Sequence, residues 1–207
     1  MKDFRLYAIT GEQFHPGREL LEVMEEAIKG GADIIQLRDK TSGREEVLQK
    51  ALALRELTRK YGVTFIVNDY IDIALEVDAD GIHLGQGDLP LAEARKLVGD
   101  KIIGISTHAI GEALLAEEQG ADYIGVGPVF PTKTKVDVVD PVTVAYVREV
   151  VERIRIPFVA IGGIKLSNID EVIAAGATRI CAVSEIVGSR DPAAICRSFL
   201  SKLEGRG

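Results

Sequence analysis

The sequence predicts an α/β fold in which eight short parallel strands alternate with helices and close into one (β/α)8 barrel domain over residues 1–207. Three observations lead to it. A phrase with a small or acidic lead-in and a short apolar run recurs as GGADIIQLR (30–38), VDADGIHLG (77–85), GADYIGVG (120–127) and AGATRICAV (175–183). Each reads as a helix ending on a small residue, a tight bend, and a strand buried on both faces. Amphipathic stretches lie between, such as REEVLQKALALRELTRKYG (44–62), with Val47, Leu48, Ala51, Leu52, Leu54 and Leu57 at helical spacing. No low-complexity linker interrupts the alternation. A doubly wound open sheet shares it, but uniformly short strands and repeats running the length of the chain favour the TIM barrel.

Composition narrows the function classes. Hydrophobic residues at 46% and charged residues at 28% describe an ordinary globular protein. A net charge of −7 argues against a general nucleic-acid binder, so any anion site must be local. Cys181 and Cys196 lack metal-ligand spacing and read as reduced core thiols. The opening MKDFRLYAIT has no long apolar run, and no stretch of roughly 18 apolar residues occurs. The expectation is a cytoplasmic protein without a membrane span.

In a closed barrel the interior is filled by side chains, so a ligand sits at the carboxyl ends of the strands. RLYAIT (5–10) is the first strand; DIIQLR (33–38), the second, runs out through Gln36, Arg38 and Lys40. Their spacing of two turns them toward one side of an extended chain. That set suits an anionic or heteroaromatic ligand, although a snorkelling Arg–Lys pair would look the same. The third strand, TFIVND (64–69), ends in Asn68 and Asp69, and the fourth, GIHLG (81–85), leads on to Asp88. Neighbouring strand ends approach each other, so Asp69 and Asp88 are placed to share one Mg2+, with water and a substrate phosphate completing its shell. Asn68 would bond the same phosphate. Each aspartate also reads as an N-cap, Asp69 for IDIALEV (71–77) and Asp88 for LPLAEARK (89–96). His83 reads as a packed residue holding the barrel mouth.

The fifth strand, IIGIS (102–106), ends in Ser106, with Thr107 and His108 beyond. No G-x-S-x-G and no third member accompany them, so Ser106 reads as a hydroxyl that bonds substrate rather than as a nucleophile. After the sixth strand, YIGVG (123–127), comes VFPTKTKVD (129–137), where Thr132, Lys133, Thr134 and Lys135 alternate hydroxyls and ammoniums as an anion-holding loop would. The seventh strand, FVAIG (158–162), carries Gly162 and Gly163, and the eighth, ICAVS (180–184), ends in Val183 and Ser184 before EIVGS. Barrels often hold a phosphate between these last two loops, where glycine admits backbone N–H groups. Tight packing also explains a glycine pair.

Together QLRDK (36–40), ND (68–69), DGIHLGQGD (80–88), GISTH (104–108), GPVFPTKTK (127–135), AIGGI (160–164) and AVS (182–184) resemble the thiamine phosphate synthase family, over nearly the whole chain. The resemblance implies a TIM-barrel transferase joining hydroxymethylpyrimidine diphosphate to a thiazole phosphate, the carboxylated thiazole also being accepted, with release of diphosphate. Gln36, Leu37, Arg38, Asp39 and Lys40 would line the pyrimidine diphosphate site, Asn68 and Lys135 its diphosphate, and Asp69 with Asp88 one Mg2+ per site. Ser106 would lie beside the pyrimidine; Thr132, Lys133, Thr134, Gly163, Val183 and Ser184 would hold the thiazole phosphate. Arg38, Lys40, Ser106 and Lys135 are then the catalytic candidates, in a dissociative substitution that needs no protein nucleophile. Its partners are the two phosphorylated substrates, and homo-oligomers are compatible with it. Thr143, in DPVTVAYV (140–147), stands where the family often has glycine, which bears on the local packing of the sixth helix. Two rivals remain: a thiazole tautomerase on the same barrel, and a noncatalytic barrel that binds a phosphorylated metabolite.

Overall fold

The computed structural model describes residues 2–132 and 140–205. Its strands are β1 (Leu6–Ile9), β2 (Ile34–Leu37), β3 (Thr64–Asn68), β4 (Gly81–Leu84), β5 (Ile102–Thr107), β6 (Tyr123–Val126), β7 (Phe158–Ile161) and β8 (Ile180–Ala182). They form a closed parallel barrel in chain order, with Tyr7 in register with Ile34 on one side and Cys181 on the other. The predicted strands are all present, their ends differing from expectation by no more than two residues. The helices α1 (Leu20–Lys29), α2 (Arg44–Tyr61), α3 (Ile71–Glu76), α4 (Leu91–Val98), α5 (Ile110–Glu118), α6 (Thr143–Arg153), α7 (Ile169–Ala174), α8 (Ser184–Val187) and α9 (Pro192–Glu204) complete it. Among the described residues, no helix is long and apolar enough to cross a membrane.

Local chemistry places these elements. In α2, Glu45 and Glu46 lie in the first turn and Arg59 and Lys60 in the last, matching the helix dipole, and Gly62 closes it at φ 67°. The chain is apolar on both faces of each strand because two cores exist. Phe4, Tyr7, Ile34, Ile66, Tyr123, Val159 and Cys181 fill the barrel interior. A larger shell, including Leu6, Ile35, Leu37, Leu54, Phe65, Ile82, Ile124 and Phe199, packs strands against helices. Both cysteines are buried thiols outside any disulfide, and burial pushes the Cys196 thiol up to about 12.

The acidic lead-in of the repeated phrase has a physical role. Asp33, just before β2, accepts the N–H groups of Arg5 and Leu6 at 2.8 and 3.0 Å. Asp80, just before β4, accepts Phe65 N–H at 2.7 Å, and Asp122, before β6, accepts Ile103 N–H at 2.8 Å. Arg55 and Arg95 hold the latter two carboxylates at 2.8 and 2.7 Å. Each aspartate thus clamps its own strand to the one before it, at the barrel end opposite the mouth. In the fourth repeat Arg179 replaces the aspartate and pairs with Asp3 at 2.8 Å.

Candidate active site at the barrel mouth

The end of β2 sorts its residues by direction. Gln36 points into the barrel and is 2% exposed, whereas Leu37 is buried in the outer shell, so only its main chain faces the mouth. Thr10, at the end of β1, clamps the turn: it accepts Arg38 N–H at 2.9 Å and donates its hydroxyl to Arg38 O at 3.1 Å. Asp39 is spent inside its own loop, accepting Thr41 N–H and Ser42 N–H at 3.0 Å and Lys50 Nζ at 2.7 Å. Although burial opposes ionisation, these donors, Lys50 above all, hold its carboxyl well below the usual range. The loop is thereby braced, leaving Arg38 and Lys40 as the cations that it presents to the mouth.

Lys40 forms an ion pair with Asp69. Asp69 itself sits at φ 64° in the left-handed region, its N–H donating to His83 O at 3.1 Å. Such a backbone costs about 1–3 kcal/mol in a residue other than glycine and clusters at functional sites. Asp88 closes a tight turn, its carboxylate accepting Gly85 N–H at 2.6 Å. Neither aspartate caps a helix: α3 and α4 are preceded by Tyr70 and Pro90, without a side-chain cap. Burial, and the Asp88 carboxylate beside it, raise the Asp69 pKa against the pull of Lys40. Arg38 is half-buried and faces the same carboxylate. Among the described residues no cluster of three or more His, Cys, Asp or Glu converges here or elsewhere. Two facing carboxylates alone, in an open mouth, fit a hard cation that takes its remaining ligands from water and phosphate.

Inside the mouth, polar side chains on five strands join. Gln36 Nε2 donates to Tyr7 Oη at 2.7 Å, and the Tyr7 and Tyr123 hydroxyls lie 2.9 Å apart. Tyr123 Oη is 2.9 Å from His83 Nδ1, and His83 Nε2 is 2.9 Å from Ser106 Oγ. His83 is therefore the packed residue its position suggested, bonded through both ring nitrogens. His108 turns away from Ser106, its Nδ1 2.5 Å from Gly127 O, so the neighbouring Ser-His pair does not form. Sequence reasoning passed over Tyr7 and Tyr123. The available signal was a tyrosine at an inward-facing strand position, where a buried hydroxyl needs a polar partner.

At β7, Gly162 and Gly163 adopt φ 97° and 65°. A Cβ on Gly163 would lie 2.7 Å from Pro131 O, and one on Gly162 would lie 2.4 Å from Pro128 Cα. Both are glycine because segment 128–131 packs across them, with Val129 N–H and Phe130 N–H donating to Ile161 O and Gly162 O at 2.9 and 3.0 Å. The structure thus brings the segment entering Thr132 onto the end of β7. Val183 and Ser184 follow β8 into α8, where Glu185 reaches back to Leu166 N–H at 3.3 Å and ties the last two loops together. Thr132 is partly buried at the end of that segment; Lys133, Thr134 and Lys135 lie outside the described residues.

A closed eight-stranded parallel barrel with cations, carboxylates and a buried polar chain gathered at the carboxyl ends of its strands defines an enzyme of the TIM-barrel class. Residues 6–186 match the sequence profile described as thiamine monophosphate synthase. Thiamine-phosphate synthase of Halalkalibacterium halodurans is 66% identical over 100% of this chain and 99% of its own, and that of Shouchella clausii 65% identical over 99% and 98%. The solved thiamine phosphate pyrophosphorylase of Pyrococcus furiosus superposes with a TM-score of 0.88 at 38% identity, covering 97% of this chain and 96% of that one. The chain belongs to the thiamine monophosphate synthase family.

Proposed function

We propose that this protein is a thiamine-phosphate synthase that joins hydroxymethylpyrimidine diphosphate to a thiazole phosphate, the carboxylated thiazole included, and releases diphosphate. One observation carries the reading within the family: Arg38 and Lys40 meet Asp69 and Asp88 at the ends of β2, β3 and β4. Two cations beside two carboxylates suit a metal-bound diphosphate, which a site for a single phosphomonoester does not require.

In the reaction the C–O bond at the pyrimidine methylene breaks and its electron pair leaves with diphosphate; the thiazole nitrogen then supplies the pair for the new C–N bond. A bound Mg2+, held by Asp69 and Asp88, would offset charge on the departing oxygens. Arg38 and Lys40 stabilise the same charge from preorganised positions, and Asn68, inward-facing on β3, bonds the leaving group. Gln36 and Ser106 orient the pyrimidine. Lys135 would complete the cation set, and Thr132, Lys133, Thr134, Gly163, Val183 and Ser184 would hold the other phosphate through hydroxyls and main-chain N–H groups. His83 Nε2 lies 2.9 Å from Ser106 Oγ while its Nδ1 meets Tyr123 Oη, a hydroxyl rather than the carboxylate that would complete a triad, consistent with a path that uses no protein nucleophile.

The test is diphosphate release followed with each substrate omitted in turn and across a Mg2+ titration. Release that needs both substrates and the metal is expected. Thiazole isomerisation without release would return the tautomerase reading, and binding without turnover the noncatalytic one.

A further inference from the structure

We propose that Tyr7 and Tyr123 are positioning residues whose hydroxyls form the middle of a one-way hydrogen-bond chain, presenting Gln36 as an acceptor and Ser106 as a donor to the bound pyrimidine. The proposal rests on the pyrimidine reading above and extends it to residues that touch no substrate.

The direction follows from counting hydrogens. The Gln36 amide nitrogen can only donate, so Tyr7 Oη accepts from it at 2.7 Å. Tyr7 has one hydrogen, and its neighbour within reach is Tyr123 Oη at 2.9 Å. Tyr123 then gives its hydrogen to His83 Nδ1, also at 2.9 Å. A neutral imidazole that accepts at Nδ1 carries its hydrogen on Nε2, and Nε2 faces Ser106 Oγ at 2.9 Å. Ser106 therefore receives a hydrogen bond from behind and turns its own hydrogen outward. At the other end, Gln36 turns its nitrogen inward to Tyr7, which leaves its carbonyl oxygen on the outward side. Burial pushes both phenol pKa values upward, so each hydroxyl keeps the single hydrogen on which the direction depends. The rings are held as well: Phe4 packs edge-on against both, with centroids 6.2 Å away.

The ends of such a chain are coupled. A ligand that places an N–H on the Gln36 side and a lone pair on the Ser106 side matches it, and an aminopyrimidine has both. An oxo analogue sets an acceptor against the Gln36 carbonyl oxygen, and turning the Gln36 amide over to meet it requires every bond from Gln36 to Ser106 to reverse.

Two measurements test this. Nitrogen-15 NMR of the unliganded protein reads the His83 tautomer, independently of any turnover: hydrogen on Nε2 is expected, and hydrogen on Nδ1 overturns the proposal. Tyr7→Phe and Tyr123→Phe keep the rings and remove one link each. In each folded variant the preference for the aminopyrimidine diphosphate over its oxo analogue, measured as the ratio of inhibition constants, should fall about tenfold, as loss of one buried hydrogen bond implies. KM for the pyrimidine substrate should rise while KM for the thiazole phosphate holds. An unchanged amino-to-oxo ratio, or equal changes in both KM values, overturns the proposal. If the wild-type protein released no diphosphate, the functional reading would fail instead, and the tautomer would still report the direction of the chain.

Discussion

Lys40 and Asp69 pair across the ends of β2 and β3, so in the free protein an ammonium already occupies the face of a carboxylate assigned to the metal. The two cations compete for Asp69. Lys40→Gln should therefore strengthen Mg2+ binding to the substrate-free protein. Lys40 is about half exposed, so the gain is limited to about two- to fivefold, the range of a solvent-exposed pair. The same change should lower kcat by about 100-fold, since one charge facing the leaving diphosphate is gone. Calorimetric titration and diphosphate release read the two effects. Weaker Mg2+ binding in the variant would mean that Lys40 assists the metal rather than competing with it.

Asp69→Asn should stabilise the fold while removing activity. Burial and Asp88 raise the Asp69 pKa above its ordinary 3.8, so the folded state binds this proton more tightly than the unfolded chain. For an acid shifted upward, stability is lost as pH rises from the ordinary value through the raised one. Asparagine escapes that loss and also tolerates the left-handed φ. At neutral pH the variant should melt higher than the wild-type protein, with the difference vanishing in acid. A variant that melts lower at every pH would show that the Lys40 pair outweighs the repulsion.

Asp69→Ala and Asp88→Ala should each abolish most Mg2+-dependent release, and the double variant should lose little more. Residues that hold one ion act as a unit, so their effects are strongly non-additive. Additive, metal-independent losses in a double-mutant cycle would dissolve the shared site.

Gly163→Ala should cost stability as well as thiazole phosphate binding. The added Cβ meets Pro131 O at 2.7 Å and the backbone is held at φ 65°. A loss of about 1–2 kcal/mol in the melt is expected from the conformation alone. Unchanged stability would show that segment 128–131 yields freely.

Thr143→Gly tests a departure from the family. Thr143 begins α6 at φ 63°, a conformation that a β-branched residue adopts only under strain, and its hydroxyl accepts Ala145 N–H at a long 3.3 Å. Glycine relieves the strain and loses that weak bond, so the melt should rise by about 2 °C. A fall would assign the hydroxyl more weight than the backbone.

The barrel was legible because strands buried on both faces repeat as short apolar runs, and because Asp33, Asp80 and Asp122 mark the start of alternate strands. The aspartates were visible as a phrase, but not as clamps, since only the closed sheet shows which N–H each one meets. Gln36, Asp69 and Asp88 could be placed by strand-end reasoning. Asp39 could not be separated from its neighbours, because its partner Lys50 lies one helical turn and a half into α2. Tyr7 and Tyr123 read as ordinary core, since their hydroxyl contact joins strands 116 positions apart in sequence. Lys133, Thr134 and Lys135 fall outside the described residues, so their roles rest on the family.

The three aspartate clamps divide the barrel into pairs. Each carboxylate binds the strand immediately before its own, joining β1 to β2, β3 to β4 and β5 to β6. Among the described residues neither the seams between these pairs nor β7 and β8 carry such an aspartate, and the ring closes from β8 to β1 beside the Arg179–Asp3 ion pair. A chain severed between β4 and β5 would keep every clamp within one fragment or the other. Severed between β3 and β4, it would part Asp80 from Phe65. Complementing fragments should therefore reassemble from the first cut more readily than from the second, as a molecule assembled from quarters would.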